Sequence, residues 1–301
     1  MAFHRVLTYN PSASDHASAA MPSGAEACHP SPIVIVIVIT PENIHTFIIS
    51  LPKDKHRRDY LGGQLEKLNI PYSVLEAVNG KALSAEELAT VYDPNKAVRL
   101  FNRELSKGEI GCTLSHVSIY QKMAAENLPH ALVLEDDAKI LEDDLAATLS
   151  KLAQLYPADI PVAVMLIHVK RVDANSRVPL DAKHDVYDAY RGVHTHGYFI
   201  TRAAAKILAQ KLYPAYVVAD KWEYFQENFI SVKCLVPYPV GLTEAAQSSS
   251  IEAMGVREKK LSDGSNYGYY LRKMARQLVY LVRSRPFIRI EHKGRSELDP
   301  L

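Results

Sequence analysis

Residues 44–78 narrow the possible folds more than any other stretch. "IHTFIISL" at 44–51, with its apolar run Phe47 to Ile49 flanked by Ile44 and Leu51, reads as a buried strand. Tyr60, Leu61, Leu65 and Leu68 then recur at helical spacing, and "YSVLEAV" at 72–78 returns to a strand that ends on the Asn79-Gly80 turn. Strand, helix, strand is a βαβ unit, which favours a largely parallel sheet with helices on both faces.

The alternation continues along the chain. Ser106 followed by Glu109 is a capping box that opens an amphipathic helix over about 107–127, and Pro129 stops it before the apolar run "ALVL". Leu145, Leu149 and Leu152 mark another helix, and "VAVMLI" at 162–167 another strand. Residues 170–193 are polar and read as a loop-rich, acceptor-side insertion. "GYFI" at 197–200 predicts a short strand, Thr201 caps a helix, and "SVKCLV" at 231–236 predicts a late strand closed by Pro237 and Pro239. The expected organisation is an α/β domain over 44–255, a leader 1–43 and a tail 256–301. The leader carries an extra apolar strand, "IVIVIVI" at 33–39, which is far short of the roughly 20 residues that span a bilayer and is expected to be paired or covered. Residues 1–30 lack periodicity and read as a mobile leader.

Charge removes some functions. With 35 basic against 34 acidic side chains and 48% hydrophobic residues, the chain reads as a soluble globular protein with no bulk affinity for nucleic acid. Cys28, Cys112 and Cys234 are odd in number and far apart, so the expectation is a reducing, cytoplasmic setting without structural zinc.

The chemistry points to "LEDD". Glu135, Asp136 and Asp137 follow a buried strand directly, and in open α/β sheets ligands bind outside the carboxyl ends of the strands. Strand alternation would place Glu135 and Asp137 on one side, about 6 to 7 Å apart along the chain, as a pair of hard oxygen ligands, with Asp136 on the other. Three adjacent carboxylates raise one another's pKa, and a divalent cation, Mg²⁺ or Mn²⁺, relieves that cost. The bland alternative is a solvated turn that caps the next helix. An EF-hand fits poorly, since its central glycine is missing and Ile140-Leu141 sit where polar ligands belong.

"IISLPKDKHRR" (48–58), "SKGEIGCTLSH" (106–116), "LVLEDD" (132–137) and "THGYFIT" (195–201), in this order, resemble glycosyltransferase family 25, the bacterial lipopolysaccharide galactosyltransferases and their collagen-modifying relatives. The resemblance spans about 46–252. It implies a GT-A-like nucleotide-sugar-binding fold, a UDP-sugar donor, and a metal at a D-x-D-type site mapping onto Glu135, Asp136 and Asp137, with Glu135 a departure from the usual aspartate. Within that frame Ser50 and Leu51 leave the first strand where the nucleotide docks, and Arg57 or Arg58 pairs with the diphosphate. Asn79 approaches uracil or ribose, and Ser115 and His116 face the donor. His196 and Gly197 line the donor site, and Gln247 lies at one end of it. Trp222 offers an aromatic face for a sugar ring. Asp220, which may equally be read as the N-cap of its helix, is the candidate general base, with Asp136 as a second catalytic carboxylate.

The implied reaction is an inverting transfer of a hexose, galactose foremost, to a hydroxyl of a lipopolysaccharide or lipooligosaccharide-type glycan. A nucleotide- or glycan-binding protein without turnover, and a metal-free glycosidase using two of the carboxylates, are the alternatives. In the tail, Tyr267, Tyr270, Leu271, Met274, Leu278 and Leu281 share one helical face over about 266–285, amid basic residues. Such a helix suits either an anionic membrane surface, with a lipid-linked acceptor at the inner membrane, or docking on the catalytic domain.

Overall fold

The computed structural model describes residues 44–190, 192–244, 246, 271, 274, 275 and 287–290. The leader with the strand expected at 33–39, Gln247 and most of the helix expected over 266–285 lie outside the described residues. Of that helix, Leu271, Met274 and Ala275 are helical and exposed.

The βαβ unit forms as the sequence predicts. β1 (Ile44–Ser50) is buried at every position except His45. It passes through a short 3-10 turn into α1 (Lys55–Lys67) and returns as the edge strand β2 (Tyr72–Glu76), paired parallel from Thr46 opposite Tyr72 to Ser50 opposite Glu76. Two short helices, α2 (Ala85–Val91) and α3 (Pro94–Phe101), lead to the long α4 (Lys107–Ala125). Both halves of its capping box are made: the Glu109 amide donates to the Ser106 hydroxyl and the Ser106 amide to the Glu109 carboxylate. Arg103 grips that carboxylate with two bonds of 2.8 Å.

The remaining elements are β3 (His130–Glu135), β4 (Ala138–Ile140), α5 (Leu145–Leu155), β5 (Val162–Met165), β6 (Arg171–Asp173), β7 (Val178–Pro179), β8 (Asp185–Tyr190), β9 (Gly197–Thr201), α6 (Arg202–Lys211), α7 (Trp222–Asn228), β10 (Ser231–Val236), β11 (Val240–Leu242) and β12 (Phe287–Arg289). A ten-stranded mixed sheet runs in the order β12-β6-β8-β10-β5-β9-β3-β1-β2, with β7 on β8. Strands β1, β2, β3, β5, β6, β7 and β10 run one way, and β8, β9 and β12 the other. The protein is therefore α/β, with a mostly parallel central sheet flanked by helices.

The buried strand residues anchor the core. Leu132, Val133 and Leu134 of β3 are fully buried, each contributing about 1.5 to 3 kcal/mol of hydrophobic stabilisation.

Two expectations change. Residues 170–193 are not a loop-rich insertion, because β6, β7 and β8 extend the sheet from there. β8, "DVYDAY", looked too polar for a strand, but its Asp188 pairs with Lys233 of β10, so the polar face is satisfied across the sheet. Asp220 does not cap a helix: α7 starts at Trp222 with Lys221 in the N-cap position.

Because β9 is antiparallel to β3, with Gly197 opposite Leu134, its first residues meet the last residues of β3. Ser50, Glu135 and the 194–197 segment thus converge on one edge of the sheet. The small sheet of β4 and β11 brings the chain back over this edge, where the Thr243 amide donates to the Asp137 carbonyl at 2.9 Å.

Candidate functional site

β3 ends at Glu135, and Asp136 and Asp137 lie in the turn before β4. Strand alternation therefore stops short of the aspartates, and they share a partner instead. Arg57, in the first turn of α1, places Nη2 2.6 Å from Asp136 Oδ1 and 3.1 Å from Asp137 Oδ2. The Asp136 amide donates to the Ile49 carbonyl at 3.1 Å, fixing the turn to the end of β1. Burial pushes the Asp136 carboxyl above its ordinary value, against hydrogen bonding from Ser50 and the charge of Arg57. Burial, then the charge of Glu135, pushes Asp137 up to about 7, and Arg57 offsets only part of this. Asp137 Oδ1 is buried and has no hydrogen-bond partner among the described residues.

Glu135 faces the other way, into a set of hydrogen bonds that holds it ionised. Burial alone would raise its pKa, but His116, Thr195 and His196 bring it down to about 2. Thr195 donates its hydroxyl to Oε1, and His116 Nε2 lies 3.3 Å from the same oxygen. Since an ionised carboxylate only accepts, Nε2 carries a proton. On the other side of the ring Nδ1 lies 2.8 Å from the Tyr198 hydroxyl, which in turn lies 3.0 Å from the Tyr120 hydroxyl. All three rings are buried, so Glu135 is oriented from inside the core.

Cys112, one turn before His116 on α4, is exposed. Desolvation, followed by the charges of Glu135, Asp220, Asp137 and Glu109, nevertheless holds its thiol well above the ordinary value. Ligand atoms of Cys112, His116 and Glu135 lie within 4.8 Å of one another. A metal there would have to displace a proton that desolvation, with the surrounding carboxylates, keeps on sulfur.

Asp220 senses this cluster from the α7 side, its charge acting on both Cys112 and Arg103. Among the described residues no hydrogen bond or ion pair engages its carboxylate. Leu51 is half-buried and its carbonyl accepts from the Ser50 hydroxyl at 3.2 Å. Asn79 is exposed on the loop beside α4. Among the described residues Arg58 pairs only with Asp59, at 3.9 Å.

Several candidates have structural rather than ligand-facing positions. Ser115 is buried, accepting from the Val78 amide at 2.9 Å and donating to the Gly111 carbonyl at 2.7 Å. It fixes the 78–80 loop to α4 and cannot face a donor. Trp222 is likewise a correction: it is 1% exposed, packs edge-on against Tyr198 with centroids 5.0 Å apart, and donates Nε1 to the His194 carbonyl at 2.7 Å. A sugar has no access to its face. His196 is buried, and burial followed by His194 lowers its pKa to about 3, so the ring is neutral. A Cβ on Gly197 would lie 2.8 Å from Val240 Cγ1, so that position is closed by packing and offers no open lining. His116 positions Glu135 instead of presenting itself to the donor.

Sequence reasoning missed Thr195, Tyr198 and Tyr120. Thr195 lay within the quoted "THGYFIT" segment, but nothing in the spacing pairs it with a carboxylate 60 residues earlier.

Three carboxylates and an arginine thus lie at the carboxyl ends of β1 and β3, the edge across which open α/β sheets place polar ligands. The sequence assigns the protein more closely. Residues 43–222 match the family model described as "Glycosyltransferase family 25 (LPS biosynthesis protein)", and the chain belongs to that family. It is similar to procollagen galactosyltransferase 2 of Mus musculus, with 28% identity over 244 residues, 71% of this chain and 38% of the relative. It is also similar to the inactive glycosyltransferase 25 family member 3 of Homo sapiens, with 31% identity over 132 residues, 43% of this chain and 22% of that one. The chain thus spans well under half the length of these relatives. A crystal structure of a glycosyltransferase involved in the glycosylation of the major capsid of PBCV-1 aligns with a TM-score of 0.32 and 13% identity, over 62% of this chain and 75% of that one.

Proposed function

We propose that this chain transfers a hexose, galactose foremost, from a UDP-sugar to a hydroxyl of a lipopolysaccharide or lipooligosaccharide-type glycan. The observation that carries the proposal is Asp137: a carboxylate with one buried, unpartnered oxygen, pushed up to about 7, beside two further carboxylates at a strand end. That is a poor arrangement for a structural acid and a good one for a ligand of a hard cation: the carboxylate oxygens of Asp137 and Asp136 suit Mn²⁺ or Mg²⁺, while Glu135, held by Thr195 and His116, adds negative charge beside them. A divalent ion held there supplies Lewis-acid neutralisation of a departing diphosphate.

The chain's own residues supply the rest. Arg57 presents a guanidinium to the phosphates, and Ser50 and Leu51 border the nucleotide at the end of β1. Asp220, free of ion pairs among the described residues, takes the proton of the attacking hydroxyl. A single in-line displacement inverts the anomeric centre. Among the described residues no helix is long and apolar enough to cross a membrane. A cytoplasmic enzyme that meets a lipid-linked acceptor at the inner membrane, through the tail over 256–301, completes the proposal.

Retained nucleotide or glycan binding without turnover is the second reading, favoured by the relative whose name describes it as inactive. UDP release from UDP-galactose in the presence of acceptor separates the two. For Asp220→Asn the expected result is turnover lower by about 10² to 10⁴-fold with donor affinity retained. Donor affinity falling in step with turnover would make Asp220 a binding residue instead.

A further inference from the structure

We infer that Arg57 is a displaceable internal counter-ion: it occupies Asp136 and Asp137 until a divalent cation takes its place, and its release onto the diphosphate couples metal binding to nucleotide binding. This rests on the nucleotide-sugar reading above and adds a binding order to it.

The geometry of the ion pairs motivates the inference. An arginine built to stay on a carboxylate uses two nitrogens of its fork, each on its own oxygen. Arg103 does so on Glu109, with Nη1 and Nη2 both at 2.8 Å. In the Arg57 contacts one nitrogen is shared between two carboxylates, Nη2 lying 2.6 Å from Asp136 Oδ1 and 3.1 Å from Asp137 Oδ2, while its Nε is buried without a hydrogen-bond partner among the described residues. On the other side of the contact, Asp137 Oδ1 is also buried and unpartnered. The two unmet needs are opposite in kind, a donor lacking an acceptor and a carboxylate oxygen lacking a cation or donor, and they do not satisfy each other.

A metal-bound diphosphate supplies one of each. The cation completes Asp137, and a phosphate oxygen completes the Nε edge of Arg57, which can then be engaged bidentately. Asp136 and Asp137 would hold a cation through carboxylates that Nη2 now contacts, so metal alone would compete with Arg57, whereas metal with diphosphate would offer the guanidinium another partner. Arg57 is well placed for the exchange. It sits in the first turn of α1 with its side chain about one-third exposed, and among the described residues its ion pairs are those with the two aspartates. Among the described residues the neighbouring Arg58 pairs with Asp59 and carries the same charge without the contact.

The test is Mn²⁺ binding to the full chain, followed by electron paramagnetic resonance of free Mn²⁺, with and without UDP. In the wild type the expected result is weak binding of Mn²⁺ alone, strengthened by UDP about 100-fold. Arg57→Gln should bind Mn²⁺ alone about tenfold more tightly, and UDP should then add only a few-fold. Arg58→Gln removes the same charge and should behave as the wild type, and Arg57→Lys, with a single nitrogen to offer, should fall between. Overturning results are unchanged or weaker Mn²⁺ binding by Arg57→Gln, an undiminished effect of UDP in that variant, or an equal gain in Arg58→Gln, which would reduce the effect to long-range charge. A wild type that binds neither Mn²⁺ nor UDP would overturn the nucleotide-sugar reading together with this inference, an outcome distinct from the others.

Discussion

Asp137→Ala is expected to abolish Mn²⁺-dependent donor binding and to lower turnover by on the order of 10³-fold, with the fold intact or slightly stabilised. The two effects have one cause. The carboxylate is half-buried, lies beside Glu135 and Asp136, and has a buried oxygen with no partner among the described residues, so the fold gains little from its charge. Arg57 keeps its closer contact to Asp136 when Asp137 is removed. Calorimetric titration of UDP-galactose with Mn²⁺, alongside thermal unfolding, checks both halves. A variant that binds donor normally, or that unfolds, would move Asp137 from the site to the scaffold.

The second large effect is on stability, and comes from two glycines that touch. Gly80, after β2, packs against α4 so closely that a Cβ would lie 1.8 Å from the Lys107 carbonyl oxygen. A Cβ on Gly111 would lie 2.5 Å from the Val78 carbonyl oxygen and 2.6 Å from the Gly80 amide nitrogen. These neighbours are backbone, which cannot rotate aside as a flexible side chain would, so alanine at either position must push the loop off the helix and break the Val78 amide to Ser115 bond. Gly80→Ala is expected to cost about 3 kcal/mol or more, seen as a melting temperature lower by roughly 10 °C. Gly108→Ala is the control, because nothing lies within 4 Å of its Cβ position and alanine improves helix propensity there. Equal stability of Gly80→Ala and wild type in urea would refute the close contact.

What the sequence made legible follows the range of the interactions involved. The βαβ unit, the capping box at Ser106 and Glu109, and the emergence of Glu135 to Asp137 at a strand end depend on local periodicity and side-chain chemistry, so they can be read directly. Gly111 could also be read, since a glycine inside a helix implies a close neighbour, here the 78–80 loop. The partners across the site could not. Whether Arg57 or Arg58 turns toward the aspartates depends on where α1 sits over the sheet, and the two are equivalent in sequence. Trp222 looked like a sugar platform because aromatic residues serve cores and binding faces alike, and only the packing of α7 against Tyr198 decides between them. The strand register that sets Gly197 against Leu134 brings Thr195 to Glu135, and register between strands more than 60 residues apart has no local signature.

The central claim is that the carboxylates at the end of β3 hold a cation for a sugar diphosphate. Titration of UDP-galactose into the full chain, first with Mn²⁺ and then with excess chelator, tests it most directly. The predicted result is saturable binding with Mn²⁺ that weakens by about 100-fold under the chelator and is restored by adding metal back. Equal affinity with and without metal, or no binding of any UDP-sugar under either condition, would contradict it.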